Sequence, residues 1–352
     1  MMKVDCGTSN RSCRPPESVT AQELRHEAKY CAALIVAAGF EDRAMRVLET
    51  LKSRSIPRVV LVRYPEGIKE NDDTFNVMTK MLSGVRRHPE VEIVTLDLQH
   101  PDEYLAKLKT ALIRWRPDAV GEVWIDVSAL AMHGICTSLA AIRAALPGLA
   151  VQVLYTEAAA YHPTKAEVAK GDSAIAALSK EMAGNLIPKQ FAGASSSVST
   201  CLVVFAGYEK HRSVGVVDEL NPSRLVLVYG EPPGNEMRWR LQWSKKLHEQ
   251  LHTSRQTASE LVSTLDPLAS LTLLNSYYGY LFADHNIAVS PICSKMQAVA
   301  CYLFWERYRD VQLVFPLPVT YLPGSFSSGY RKTYRFALPT ASELAILTRA
   351  PL

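Results

Sequence analysis

The sequence predicts an α/β protein with two tandem Rossmann-like parallel-sheet domains related by internal duplication. Three observations support this class. Short apolar runs rich in β-branched residues alternate with helical patterns, this order occurs twice, and the same small motifs recur in both copies. At 352 residues the chain is long enough for two domains of ordinary size.

The first predicted domain spans residues 29–171 and contains five candidate strands. Continuous apolar runs are typical of strands that are covered on both faces of a parallel sheet. These runs are Ala32–Ala38, Val59–Val62, Val91–Leu96, Val123–Val127 and Val151–Tyr155. Helical spacing between the runs predicts four helices, at Arg43–Lys52, Asp73–Val85, Pro101–Trp115 and Ala131–Ala145.

Two further segments flank the predicted domains. Residues 1–28 are polar with adjacent prolines, and we expect a flexible N-terminal tail there. Residues 172–200 combine a helical pattern at Ala174–Met182 with the small polar run AGASSSVST, which favours a linker. The second domain is expected to occupy residues 201–352, starting with a strand at Leu202–Ala206.

The duplication rests on motifs that recur in the same order. Gly39-Phe40-Glu41, followed by Arg43, recurs as Gly207-Tyr208-Glu209, followed by Arg212. The spacing between copies is 168 residues for these glycines and 160 residues for Gln152 and Gln312. A drift of this size is what changes in loop length would produce, whereas a shared preference for valine in strands would not explain the matched motifs.

Composition excludes several classes of function. The net charge of +4 is small for this length, so it permits an anionic ligand, and we do not expect direct binding to nucleic acid. Seven cysteines without a CxxC pair indicate a reducing cytoplasm and no zinc site. We find no phosphate loop, no dinucleotide fingerprint, no membrane-length apolar run and no signal peptide, so no cofactor is predicted and a cytoplasmic location is expected.

The ends of the first strands carry one group of candidate ligand-binding residues. Ligands of open parallel sheets bind beyond the carboxyl ends of the strands, where glycine allows close approach. The candidates are Gly39, Glu41, Arg43, Gly207, Glu209 and Arg212. The glutamates could accept hydrogen bonds from ribose while the arginines face a phosphate, or the glutamates could only stabilise the first helical turn.

The ends of the fourth strands carry a second group. A serine ends the fourth strand of each half, and Ser294-Lys295-Met296-Gln297 follows where a helix should begin. Hydroxyl, ammonium and free helix N–H groups together make an anion site. The candidates are Ser128, Ser290, Ser294, Lys295 and Gln297, and the alternative is that the serines cap helices and the lysine is solvated.

Two tyrosines and two carboxylates complete the candidate set. Tyr161 and Tyr321 follow the fifth strands, where they could stack on a base or serve as structural tyrosines. Asp126 and Glu157 lie at strand ends of the first half only, so they are the acid–base candidates if the chain is an enzyme.

The fourth-strand segments resemble the signature of CARF domains, which are Rossmann-like sensors of cyclic oligoadenylates in prokaryotic defence. Asp126-Val127-Ser128 is similar to the first part of that signature and Ser294-Lys295-Met296 to the last, although the Gly-Gly step between them is missing. The resemblance implies two copies paired about a two-fold axis with the ligand lying across it. It also implies slow ring cleavage in some members, for which Lys295, Ser294 and Ser128 would be the candidates.

The leading expectation is therefore a ligand-sensing protein with a nucleotide-type ligand between its halves, acting through a protein partner or effector. One alternative is a nucleotide- or nucleoside-processing enzyme with a single active half. Another is a structural subunit of a larger defence complex, with the aromatic and basic helix at Arg238–Lys246 as its contact surface.

Overall fold

The computed structural model describes residues 13–51, 56–84, 88–115, 121–170, 179–194, 198–252 and 256–348. We call the described residues up to 170 the first half and those from 179 the second half. Residues 1–12 of the predicted tail, and residues 174–178 of the predicted linker helix, lie outside these ranges.

The described residues form an alternating series of strands and helices. The strands are β1 (Glu17–Val19), β2 (Cys31–Ala37), β3 (Arg58–Arg63), β4 (Glu90–Thr95), β5 (Glu122–Asp126), β6 (Ala150–Thr156), β7 (Ala160–Tyr161), β8 (Ser179–Leu186), β9 (Ser199–Ala206), β10 (Arg224–Glu231), β11 (Gln256–Ser263), β12 (His285–Pro291), β13 (Gln312–Leu313), β14 (Phe315–Tyr321), β15 (Ser327–Ser328) and β16 (Thr333–Leu338). The α-helices are α1 (Ala21–Glu27), α2 (Arg46–Leu51), α3 (Lys69–Ser83), α4 (Pro101–Trp115), α5 (Met132–Ala145), α6 (Lys165–Ala169), α7 (Lys210–Leu220), α8 (Arg238–Leu247), α9 (Pro267–Leu281), α10 (Lys295–Arg307) and α11 (Ala341–Leu347).

Two parallel sheets dominate the molecule and confirm the predicted α/β class. The first sheet has the order β1-β16-β6-β5-β2-β3-β4. Its five strands from β6 to β4 in this order are parallel, and β16 pairs antiparallel with both β6 and β1. The second has the order β11-β10-β9-β12-β13 and is parallel throughout. Numbered within each half, the parallel strands follow the same spatial order. In the interior strands the apolar runs are buried because helices cover both faces, as in β2, where every residue is buried. The predicted run Val91–Leu96 differs, because β4 lies at the edge of the sheet and exposes Val91 and Ile93.

The predicted tail and linker differ from the structure. Val19 in β1 and Leu24 in α1 are buried, and β1 pairs with β16 near the other end of the chain. A capping box between Thr20 and Glu23 starts α1. Residues 179–182 are part of β8, which pairs with β14, so this part of the linker is extended rather than helical. In both places the pairing partner lies far away in sequence, where local periodicity carries no signal.

The domain boundaries predicted at residues 171 and 201 do not separate two independent cores. Helix α5 packs directly against α10, and the Cys136 Sγ donates to the Ala298 carbonyl at 3.5 Å. One buried apolar cluster contains residues of both halves, although each half also has a buried cluster of its own. In addition, β16 belongs to the sheet of the first half and β15 pairs with β7, so the end of the chain crosses back over its beginning.

Among the described residues, no helix combines the length and apolar character needed to cross a membrane. In the same residues, no cluster of histidine, cysteine, aspartate and glutamate side chains is suited to hold a metal ion.

Candidate functional site

A cavity of about 690 Å³ lies where the carboxyl ends of the two parallel sheets face each other. Loops that follow β2 to β6 in the first half and β9 to β12 in the second half contribute to its wall. This volume falls within the range of small-molecule sites. The predicted site residues that line it are Gly39, Glu41, Arg43, Glu157, Tyr161, Gly207, Glu209, Arg212, Ser294, Lys295 and Tyr321.

Each half contributes a buried glutamate–arginine pair. Arg43 donates to the Glu41 carboxylate through Nε and Nη2, each at 3.0 Å, and to the Thr156 carbonyl at 3.1 Å. In the second half, Arg212 donates to Glu209 at 2.7 Å and to the Pro316 carbonyl at 2.8 Å. Both arginines are therefore held beside the cavity by their own glutamate and by a strand carbonyl, from the end of β6 for Arg43 and from β14 for Arg212.

The electrostatics of Glu41 keep this carboxylate ionised. Burial raises the pKa of Glu41, but Arg43 and then Lys295 lower it by more, so the pKa ends below its ordinary value. The Ser327 hydroxyl, from the loop that crosses back from the second half, also donates to Glu41 at 2.5 Å. The carboxylate is thus a fixed acceptor at the cavity wall.

The glycines at the ends of β2 and β9 allow a close crossing of the chain. A Cβ on Gly39 would lie 2.9 Å from both the Cβ and the carbonyl oxygen of Ala129, in the loop after β5. A Cβ on Gly207 would lie 3.0 Å from the carbonyl oxygen of Ile292, in the loop after β12. Any larger residue would push these loops away from the strand ends.

Lys295 is the first residue of α10 and lies between the two halves. Its Nζ donates to the carbonyl of Leu130 in the first half at 2.6 Å. Burial lowers the pKa of Lys295 to about 8, with Arg43 and Arg212 also lowering it while Glu41 and Glu209 raise it. The side chain is therefore mostly an ammonium at neutral pH. The first residue of the corresponding helix α5 is Met132, which also lines the cavity but carries no charge.

Ser294 and Gln297 form the cap of α10. The Ser294 hydroxyl accepts from the Gln297 backbone N–H at 3.1 Å and donates to the Thr264 carbonyl at 2.6 Å. The Gln297 side chain accepts from the Ser294 backbone N–H at 3.2 Å. Gln297 is fully buried and lies outside the cavity lining, so Ser294 lines the wall while Gln297 supports it.

Three predicted site residues point into the protein instead of the cavity. The Asp126 carboxylate accepts from the Ser128 backbone N–H at 2.9 Å and from its hydroxyl, and the hydroxyl accepts from the Thr156 N–H at 2.7 Å. Burial raises the pKa of Asp126 to about 6. Ser290 is fully buried, and its hydroxyl has no hydrogen-bond partner among the described residues. The predicted acid–base pair is not assembled, because Glu157 lines the cavity and Asp126 does not.

The two predicted tyrosines line the cavity in different ways. The Tyr161 hydroxyl accepts from the Ala158 N–H at 3.0 Å, and its ring lies 5.8 Å from the guanidinium carbon of Arg43. The Tyr321 ring packs near Phe40 and Phe326, with ring centres 6.4 and 5.9 Å away. These three rings form an aromatic wall from which a planar group could gain stacking contacts.

Sequence reasoning missed Arg240 and Asn71 as cavity residues. Arg240 is buried in α8 and donates to the carbonyls of Tyr161, His162 and Pro163 in the first half, at 3.2, 3.2 and 2.8 Å. Its neighbour Trp243 turns inward and stacks on Tyr208, with ring centres 5.5 Å apart. In this helix Trp243 therefore packs within the second half, and Arg240 makes the contact with the first half.

No family model matches this chain, and no curated protein matches its sequence. Among solved structures, the chain is similar to a type III CRISPR defence DNA nuclease activated by cyclic oligoadenylate, with 9% identity and a TM-score of 0.50 over 85% of this chain and 67% of that chain. Weaker matches include Can2 from Sulfobacillus thermosulfidooxidans in complex with cyclic tetra-adenylate, with 15% identity, a TM-score of 0.27 and coverage of 38% of this chain and 37% of that chain. Another is UDP-GlcNAc 2-epimerase from Neisseria meningitidis, with 11% identity, a TM-score of 0.23 and coverage of 76% of this chain and 79% of that chain. The first likeness concerns the fold, and it agrees with the α/β architecture predicted from the sequence.

Proposed function

We propose that this chain is a sensor that binds an anionic, nucleotide-type ligand in the cavity between its halves. The observation that carries the proposal is Lys295, an ammonium at a helix N-terminus in a cavity walled by both halves. One of its three protons is used by the Leu130 carbonyl, so two remain for phosphate oxygens.

The remaining wall suits the other parts of a nucleotide. Glu41 and Glu209 present carboxylate oxygens that can accept hydrogen bonds from ribose hydroxyls. The rings of Phe40, Tyr321 and Phe326 offer a surface on which a base can stack. Because the arginines are paired with glutamates, Lys295 supplies the charge that a phosphate would neutralise.

We propose a cyclic oligonucleotide of prokaryotic antiviral defence as the ligand class. Two considerations support it: the fold likeness to a defence nuclease activated by cyclic oligoadenylate, and the resemblance of the fourth-strand segments to CARF domains. We further propose that the halves arose by duplication, which would supply both members of the usual pair within one chain. Repeated contacts support this, such as the guanidinium of Arg58 lying 6.0 Å from the Trp115 ring and that of Arg224 lying 5.7 Å from the Tyr280 ring.

Calorimetry with a panel of cyclic and linear oligoadenylates, cyclic dinucleotides and mononucleotides tests the ligand class. We expect at least one member to bind, and Lys295→Met to weaken it roughly tenfold or more through loss of a charge-assisted hydrogen bond. Lys245→Met is the matched control, because Lys245 is exposed on α8 and lies outside the cavity lining. Absence of binding to every member by the folded protein would refute the proposal.

A second candidate activity, slow cleavage of the bound ring, is favoured by the lowered pKa of Lys295. The ligand's own 2′-oxygen would attack the adjacent phosphorus and the bond to the 5′-oxygen would break, giving a 2′,3′-cyclic phosphate. The hydroxyl proton would pass to water, and the Lys295 ammonium would stabilise the charged transition state and protonate the leaving oxygen. Ser294 would only position the helix end, since its hydroxyl is already engaged. Product analysis by mass spectrometry, with and without Lys295→Met, would separate a cleaving sensor from one that only binds.

We also propose that a protein partner reads the bound state. Affinity purification with and without cyclic tetra-adenylate tests this, and we expect a partner whose recovery depends on the nucleotide. A partner recovered equally in both conditions would instead favour the structural-subunit alternative.

A further inference from the structure

The two ends of the cavity are not equivalent in their polar groups. Helices α3 and α8 follow the second strand of their respective halves, and the third residue of each lines the cavity. These residues are Asn71 and Arg240, with exposed fractions of only 5% and 4%. Two buried polar side chains thus occupy matching places at opposite ends of the same cavity.

Their hydrogen bonds differ. The Arg240 guanidinium donates three of its five N–H groups to backbone carbonyls of residues 161–163, and it carries no acceptor. The Oδ1 of Asn71, by contrast, is buried and has no hydrogen-bond partner among the described residues. A buried polar atom without a partner is costly, so an unpartnered acceptor in a cavity wall marks the place of a missing donor.

Asp97 and Gln99 also line this part of the cavity, but of the described lining residues only Asn71 has a buried side-chain acceptor without a hydrogen-bond partner. Tyr64 also lines this end, but its hydroxyl already donates to the Ala129 carbonyl at 2.8 Å and accepts from the Ala131 N–H at 2.9 Å. Asp97 is bonded to His100 at 2.8 Å. Ile68 and Leu98 add apolar walls, between which a flat ring could insert.

We infer that Asn71 forms a base-recognition subsite that reads the exocyclic amine of a single nucleobase, whereas Arg240, at the matching position of the second half, has no acceptor for such an amine. A carboxamide carries an acceptor and donors in one plane, and asparagine pairs in this way with the amine and adjacent ring nitrogen of adenine. At the opposite end the wall is largely apolar, with Pro232, Pro233 and Leu265. This inference rests on the proposed function, because it assigns a specificity-determining residue to the same cavity.

The test compares cyclic tetra-adenylate with an analogue in which unsubstituted purine replaces every adenine, so that only the amines are lost. We expect the unmodified protein to prefer the amine-bearing ring by roughly 5- to 150-fold, the range for one bidentate base contact. Asn71→Leu should bring this ratio close to one. Asn275→Leu is the matched control, because the Oδ1 of Asn275 is also buried without a hydrogen-bond partner in the described part of the chain, but Asn275 lies outside the cavity lining.

One further variant and one further ligand complete this test. Asn71→Asp keeps an acceptor and should retain the preference, which covers the case in which Asn71→Leu does not fold. A ring with a single adenine among three purines should bind nearly as well as cyclic tetra-adenylate, since one amine is read.

Equal affinity of the unmodified protein for cyclic tetra-adenylate and the all-purine ring, or a preference that survives Asn71→Leu, overturns the inference and leaves the proposed function intact. Failure of both rings and of every member of the nucleotide panel to bind overturns both.

Discussion

At the scale of single residues, Lys295 couples the two halves electrostatically. Its ammonium interacts electrostatically with the arginine and the glutamate of each strand-end pair, and it donates a hydrogen bond to the Leu130 carbonyl. Burial and the arginines destabilise this charge, whereas Glu41 and Glu209 stabilise it, and the balance lowers the pKa of Lys295. If an anionic group binds here as proposed, its affinity should depend on pH.

We predict that affinity for cyclic tetra-adenylate is constant below about pH 8 and falls above it, because the pKa of Lys295 is lowered to about 8. An anion raises this pKa in the complex, so binding is favoured while the free lysine is protonated and weakens by up to about tenfold per pH unit beyond it. Calorimetry at pH 6 to 10 measures this profile. Lys295→Arg, which stays charged, should flatten it, and an unchanged profile in that variant would exclude Lys295 as the titrating group.

We predict that Gly39→Ala lowers the free energy of unfolding by about 1–3 kcal/mol, because the new Cβ would meet Ala129 at 2.9 Å and the loop after β5 would have to move. Chemical denaturation measures this. Gly148→Ala is the control, since a Cβ there would have no heavy atom within 4 Å. Equal stability of both variants would show that the loop yields without cost.

The expectation that ligands bind beyond the carboxyl ends of parallel strands predicted much of the cavity wall from the sequence, including Glu41, Glu209 and Lys295. It did not locate the direction of each side chain. Asp126 ends its strand as expected, but its carboxylate accepts from the N–H two residues later and so turns away from the cavity. Asn71 and Arg240 were missed because their importance depends on hydrogen bonds made, or left unmade, with residues far away in sequence.

At the scale of secondary-structure elements, α8 connects the two halves through hydrogen bonds from Arg240, a contact that we call the α8 brace. Arg240 reaches from this helix to the three carbonyls of residues 161–163, and its guanidinium carbon lies 4.2 Å from the ring centre of Tyr208. Since Tyr161 lines the cavity, the brace also fixes part of the binding wall.

We predict that Arg240→Met lowers the free energy of unfolding by about 1–3 kcal/mol, because it leaves buried carbonyls without donors. It should also speed amide hydrogen exchange around residues 155–163 and weaken nucleotide binding. Hydrogen-exchange mass spectrometry locates the effect. Arg238→Met, at an exposed position of the same helix, should change neither quantity, and a similar effect of both variants would contradict the brace.

The apolar parallel strands were predictable, whereas the more polar parallel strand β11 and the antiparallel strands were not. Runs such as Val59–Val62 are apolar throughout because both faces are covered, which gives a strong local signal. Strand β14 contains Pro316 and Pro318 and has a register shift between Leu317 and Pro318, which weakens its pattern. Strand β1 has only three residues and is held by β16 from the far end of the chain.

At the scale of the whole molecule, the halves share one buried cluster and exchange strands. Helices α5 and α10 meet at its centre, and β16 closes the sheet of the first half next to β6. A chain built in this way should not divide into independently folding domains, although the sequence suggests a boundary at residues 172–200.

We predict a single cooperative thermal transition whose calorimetric enthalpy equals its van't Hoff enthalpy. A fragment of residues 1–194 should fail to fold, because it lacks β16 and the α10 face against which α5 packs. Differential scanning calorimetry of both proteins tests this. Two separated transitions, or a folded fragment, would show that the halves are independent.

The central claim is that one nucleotide-type ligand lies between the halves and contacts both. A crystal structure of the chain with cyclic tetra-adenylate tests it most directly. The account predicts one ring per chain in the 690 Å³ cavity, with a phosphate oxygen within hydrogen-bond distance of the Lys295 Nζ and the aromatic wall against a base. A ring bound elsewhere on the protein, or a separate ligand in each half, would contradict it.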